Sequence, residues 1–334
     1  MQRKNLLKLM IPAILIGVMV AASGSVCLAA ETYTLTSLTA WPKNALESQQ
    51  FIKFLELTQK EADEKYPGEL KLVYKGAGEV IRQTEQVEAL RTGLIDMDYV
   101  AASYYTSIMP EIDTMSLTTM TPWEERKAGV NDYLEKLHNA KANAHYLGRV
   151  GTGSLFHLFL AKPIKTVADL KGMKVRCSPT TIPFMKSVGA EPVGMPPPDI
   201  YTAMERGVVD GYILPPATIR DFGLVKPSKY MVFPGFYQPV IFILVNLDKW
   251  NQLPAHLQEL LTRQAEACAH YFFKNIADGL QKDLGDFQKE GMTFIKLDPP
   301  EANKFSKMAY DALLNTIMKK APEESAKIRD LITK

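Results

Sequence analysis

The chain has 334 residues, 23% of them charged, with a formal net charge of +2. Arg3, Lys4 and Lys8 precede the apolar run 11–20, and Cys27-Leu-Ala29 supplies small residues, so residues 1–30 read as a cleavable signal peptide directing export to the periplasm. Removing those three from the 39 basic residues leaves 36 against 37 acidic ones, so no basic excess argues for nucleic acid or a membrane surface. An uncleaved anchor and a lipoprotein at Cys27 are the alternatives; the apolar run is short for the first, and Val26 is bulky for the second.

In chain order, Thr34 to Leu38 alternates as a first strand, followed by a turn at Trp41-Pro42-Lys43. Asn44 and Glu47 resemble a capping box for a helix carrying Phe51, Phe54, Leu55, Thr58 and Ala62 on one face. Leu70, Leu72 and Tyr74 form a second strand; a helix through Val87 and Leu90 stops at Gly93, and Ile95 to Val100 is a buried strand. The second half repeats this grammar: a short helix capped by Thr166 with Asp169, a strand Met173–Cys177, a helix ending at Gly189, a helix from Asp199, and a strand Val208–Leu214. Ala89-Leu-Arg-Thr-Gly-Leu-Ile-Asp96 even returns as Ala203-Met-Glu-Arg-Gly-Val-Val-Asp210. Such units predict βαβ lobes with largely parallel sheets. Beyond Pro254 one apolar stripe runs from Leu257 to Phe287, either as two helices or as one strut behind both lobes, with Gly279 and Gly285 as possible kinks.

The fold class is therefore α/β, a two-lobed binding protein with a cleft between the lobes. Residues 31–152 with about 240–280 form lobe I; 153–239 with about 281–334 form lobe II. Cys177 and Cys268 read as separate buried thiols rather than a disulfide framework. Nucleophile elbow, Walker loop, zinc helix and dinucleotide fingerprint are all missing from the sequence. The reading is a binding protein without catalytic residues, metal or cofactor. Asp96, Asp98 and Asp210 follow helix-stopping glycines, which favours turn and capping roles over acid–base work. Arg176 ends a strand, the place where open α/β sheets bind ligands, and its planar fork suits a carboxylate. Position alone leaves it equally open to a surface salt bridge.

The linked block Pro163 to Arg176, Gly189 to Pro196 and Asp199 to Gly211, with Gly93 to Met97 and Leu253-Pro254, resembles the periplasmic solute-binding subunits of tripartite ATP-independent periplasmic (TRAP) transporters. The resemblance implies two lobes closing on a small organic anion, a long helix spanning both lobes, Arg176 as the residue that holds the carboxylate, and delivery by a monomer to the membrane permease subunits. Relatives with a second arginine or an asparagine have them where this chain has Phe156 and Leu214, and sialic-acid-binding members place Glu and Arg where Ala101 and Tyr104 stand. The pocket is thus expected to favour a monocarboxylate, or a short sulfonate, over dicarboxylates and sugar acids. Arg82, Arg149 or His157 are the candidates for a second cationic partner. A register shift would exchange His157 for Phe156. Trp41, Tyr237, Pro197 and Gln83 fall at wall or contact positions. Two rival functions are a periplasmic sensor domain and an exported enzyme acting on a carboxylate.

Overall fold

The computed structural model describes residues 31–150 and 153–333, so the expected signal peptide lies outside the described residues. The first half of the chain contains β1 (Tyr33–Thr39), α1 (Leu46–Lys65), β2 (Leu70–Gly76), α2 (Gln86–Arg91), β3 (Met97–Ala101), α3 (Pro122–Lys127), α4 (Val130–Ala142) and β4 (Ala144–Arg149). It then continues through β5 (Phe156–Leu160), β6 (Lys174–Cys177), α5 (Ile182–Ser187), β7 (Glu191–Gly194), α6 (Ile200–Glu205), β8 (Gly211–Leu214) and β9 (Tyr230–Phe236). The last part is β10 (Ile241–Asn246), α7 (Leu247–Gln252), α8 (Ala255–Lys289), β11 (Thr293–Lys296), α9 (Pro299–Met318) and α10 (Pro322–Ile332).

Two sheets result, in the order β2-β1-β3-β10-β4 and β11-β9-β5-β8-β6-β7. They are mixed rather than largely parallel. β10 runs antiparallel between β3 and β4, and β5 runs antiparallel between β8 and β9. Each is the strand that enters one sheet directly after a strand of the other, β5 after β4 and β10 after β9, and it runs against the direction of its neighbours.

The repeated octapeptide builds the same corner in both lobes. Gly93 and Gly207 take left-handed φ values of 76° and 65°, where a side chain would be strained. Ala89 O accepts from Leu94 N–H at 2.9 Å, and Ala203 O accepts from Val208 N–H at 2.9 Å. Asp96 Oδ2 then accepts from Thr36 N–H at 2.8 Å, and Asp210 Oδ2 from Lys174 N–H at 2.9 Å. Each carboxylate pins the adjacent parallel strand, a turn role as expected. Asp98 departs from that reading: it is fully buried in β3 and both its oxygens lack a hydrogen-bond partner among the described residues.

The apolar stripe beyond Pro254 is a single helix, α8, of 35 residues, which Gly279 and Gly285 do not interrupt. At about 1.5 Å per residue it extends roughly 50 Å. Leu257, Leu261, Cys268 and Phe272 pack in the core of the first lobe, and Phe287 packs in a core of the second. α9 buries Phe305, Ala309, Leu313 and Ile317 in the second lobe. The last helix breaks the expected division: α10 returns to the first lobe and packs Ile328, Leu331 and Ile332 into its core. It packs mainly against the 3-10 segment Pro110–Leu117, with α9 and α4 on its flanks. Cys177 and Cys268 are buried free thiols.

One expected cap is not formed. α1 begins after Ala45 without a side-chain cap, so the Asn44/Glu47 box is not made. Instead Asp221, in the connection between β8 and β9, accepts from Leu46 N–H at 2.7 Å. A carboxylate from the second lobe thus satisfies a first-turn donor of a first-lobe helix.

Candidate functional site

The carboxyl ends of β1, β3, β6 and β8 converge on one cavity between the sheets, where about 520 Å³ of space, part of it open to solvent, is free of protein atoms. This is where parallel strands leave free backbone and diverging loops for a ligand. Trp41, Tyr104, Phe156, Arg176, Pro197 and Leu214 line it. Trp41 meets Tyr99 and Tyr104 with ring centroids 5.9 and 6.1 Å apart, forming one aromatic wall. Phe156 and Leu214 complete the apolar side where polar groups stand in some relatives.

Arg176 is 2% exposed. Its Nε donates to Met195 O at 2.9 Å and its Nη1 to Ile213 O at 3.3 Å. These two carbonyls fix the plane of the guanidinium and leave its other N–H groups to Tyr104 and a ligand. Among the described residues it forms no ion pair with a carboxylate. Burial lowers its pKa, partly offset by Tyr104. A buried, oriented cation beside a cavity is costly until an anion meets it. The surface salt bridge left open by the sequence is not formed.

Three expected positions lie elsewhere. Gln83 sits with Arg82 in an adjoining space between 78–84 and Pro196–Asp199, reached past Pro197. His157 points to the other face of β5 from Phe156, because successive strand residues alternate. There its Nδ1 donates to Val232 O at 3.0 Å and its ring packs on Phe233, while burial lowers its pKa to about 4. Tyr237 takes φ 45° and turns its hydroxyl to donate to Ala309 O in α9, bracing the second lobe rather than walling the cavity. As for a second cation, Arg149 is buried in an ion pair with Glu125 at 2.8 Å.

The sequence reading missed Glu47, Ser103, Ser116, Ser178 and Thr180, all of which line the cavity. Thr180 donates to Asp113 Oδ1 at 2.7 Å and Ser116 to the same oxygen at 3.2 Å, so a buried carboxyl stands behind that wall. Burial raises the Asp113 pKa to about 6 against these two bonds. Position after a strand end was the only available signal for the serines. Glu47 was visible but assigned to a cap.

The family model for bacterial extracellular solute-binding protein, family 7, matches residues 43–320. The chain belongs to that family. Its members are receptors, not enzymes, and they include the TRAP solute-binding subunits. A monocarboxylate 2-oxoacid-binding periplasmic protein of Nostoc sp. is 27% identical over 235 residues, 66% of this chain and 62% of that relative's length. The solute-binding protein of Desulfovibrio salexigens with bound orotic acid superposes with a TM-score of 0.79 at 19% identity, covering 90% of this chain and 98% of the other. The Bordetella pertussis extracytoplasmic receptor binding pyroglutamic acid gives 0.77 at 18% identity, covering 90% and 99%. At these identities the two structures speak for the fold alone, and the two-lobed architecture is shared with both.

Proposed function

We propose that this family member is a periplasmic receptor that binds a small monocarboxylate through Arg176 and delivers it, as a monomer, to TRAP permease subunits. The observation that carries the reading is the buried guanidinium: two carbonyls fix its plane, no protein carboxylate pairs with it, and its remaining donors border the cavity. The Nostoc relative's name, and the orotic and pyroglutamic acids bound by the two structural neighbours, support a single carboxylate on a compact body. A second carboxylate on the ligand would find no other cation among the described residues of the wall, and would approach Glu47. Desolvating that charge costs several kcal/mol. A sulfonate could occupy the same fork.

The test is calorimetry with pyruvate, 4-methyl-2-oxopentanoate, pyroglutamate, orotate, 3-hydroxyphenylacetate, ethanesulfonate, succinate and galacturonate. A monocarboxylate should bind tightest, and the Arg176→Ala protein should lose several kcal/mol of affinity while keeping its fold. Arg176→Lys should also bind poorly, since a point charge replaces the fork. Affinity within about threefold of wild type in Arg176→Ala, or tightest binding of succinate or galacturonate, would overturn the reading.

A further inference from the structure

Glu47 enters the reading above only as the group a second carboxylate would meet, yet with Arg176 it is one of the two carboxyl or guanidinium side chains lining the cavity among the described residues. It is 8% exposed, and its Oε2 has no hydrogen-bond partner. Burial raises its pKa to about 7; its own backbone N–H opposes that, and the charge of Asp221 adds to it. The groups around it come from four elements. Asp221 stands on the connection after β8, Tyr99 on β3, Tyr104 on the turn after β3, and Arg176 on β6 across the cavity. Burial keeps both tyrosines neutral, and Arg176 is not among the groups that set the protonation of Glu47.

Charge balance then decides between its two states. With a monoanion on Arg176, the closed cavity is neutral if Glu47 carries its proton and holds a net negative charge if it does not. The N-terminal end of α1 would favour an ionised Glu47, but Asp221 already accepts there from Leu46 N–H and repels a second negative charge. The protonated state wins when a monocarboxylate is bound.

We propose that Glu47 is a second specificity-determining group, whose carboxyl O–H donates to a carbonyl or hydroxyl oxygen of the monocarboxylate held by Arg176, so that binding is linked to proton uptake. This deepens the proposed function and rests on it. It selects acids that carry an acceptor oxygen over plain alkyl acids, because an unmatched O–H would be left buried. It also disfavours zwitterions, whose ammonium would require the ionised form.

The experiment takes the tightest monocarboxylate from the panel above, adds 4-methylpentanoate and leucine, and repeats calorimetry at pH 6 and pH 8. With Glu47 near 7 in the free protein, a ligand that requires its proton should bind about tenfold more weakly at pH 8 than at pH 6. At pH 7 the same titration in phosphate and in Tris should reveal uptake of about half a proton per ligand. Glu47→Gln retains an N–H donor and should bind equally at both pH values. Asp113→Asn, which removes the other carboxyl titrating near the wall, should keep the wild-type pH dependence. 4-Methylpentanoate should bind more weakly than 4-methyl-2-oxopentanoate in wild type.

A flat wild-type profile without proton uptake would overturn the inference, as would pH dependence lost in Asp113→Asn but kept in Glu47→Gln. Affinity rising with pH, with leucine preferred, would show that an ionised Glu47 grips an ammonium instead. If Arg176→Ala abolishes binding while the profile stays flat, only the role of Glu47 fails. If binding survives Arg176→Ala, or no acid binds, the function on which it rests fails as well. The wild-type buffer comparison stands without any variant, so a misfolded Glu47→Gln leaves the decision intact.

Discussion

At the scale of single residues, two buried carboxyls show how position after a shared motif diverges into different physics. Asp96 is pinned by Thr36 N–H and Oγ1 at 2.8 and 2.7 Å, whereas Asp98, two residues on, has no partner for either oxygen. Burial holds the Asp98 carboxyl well above the usual carboxylate range. The folded chain therefore holds the Asp98 proton to higher pH than the unfolded chain does. A carboxyl whose folded pKa is raised contributes stability that is full below its unfolded value near 3.8 and is lost as pH rises toward the folded value. Asp98→Asn removes that loss. Its stability relative to wild type should improve on going from pH 5 to pH 8 by about 1.4 kcal/mol per pH unit while the folded carboxyl stays protonated. Urea unfolding at both pH values measures this, and a constant difference would mean Asp98 is ionised in the native protein.

At the scale of elements, the junction between α1 and the β8–β9 connection couples the lobes. α1 presents its apolar stripe to the first sheet but has no cap of its own, so Asp221 serves as one from the opposite lobe. Thr180 donating to Asp113 forms a second polar link, from the turn after β6 to the 3-10 turn at Pro110–Leu117. A lost cap costs about 1 kcal/mol. Here that cost falls on the form in which the lobes meet and not on either lobe alone. Asp221→Ala should thus bind the same monocarboxylate about fivefold more weakly, with little change in unfolding midpoint without ligand. Unchanged affinity by calorimetry would show that the contact adds nothing to the ligand-bound form.

At the scale of the molecule, the connections that follow β4 and β9, the long helix α8 and the return of α10 link the lobes. Few crossing segments and one helix shared by both lobes are what a hinge requires, and under the proposed function ligand contacts on both sides would supply the differential affinity that closes it. Small-angle scattering should give a smaller radius of gyration with saturating monocarboxylate than without it. Identical curves with binding verified by calorimetry would establish a rigid, preclosed receptor.

The sequence by itself determined whatever depends on local periodicity and backbone chemistry. The paired glycine corners, the stripes of α1 and α8 and the placement of Arg176 at a strand end all follow from spacing along the chain, whereas the unbroken course of α8 through Gly279 and Gly285 was left open by it. The opposed faces of Phe156 and His157 were implicit in strand alternation as well, once β5 was placed. Tertiary structure decided what depends on residues far apart in sequence. It inserted β10 and β5 antiparallel into mixed sheets, carried α10 back to the first lobe, and engaged Arg149 with Glu125. It also gave the cap of α1 to Asp221, which left Glu47 unpartnered at the cavity wall. Capping by an adjacent residue is a short-range signal that a sequence displays. A cap supplied from 175 residues away depends on how two lobes meet, and nothing in the local pattern around Asn44 and Glu47 encodes that meeting.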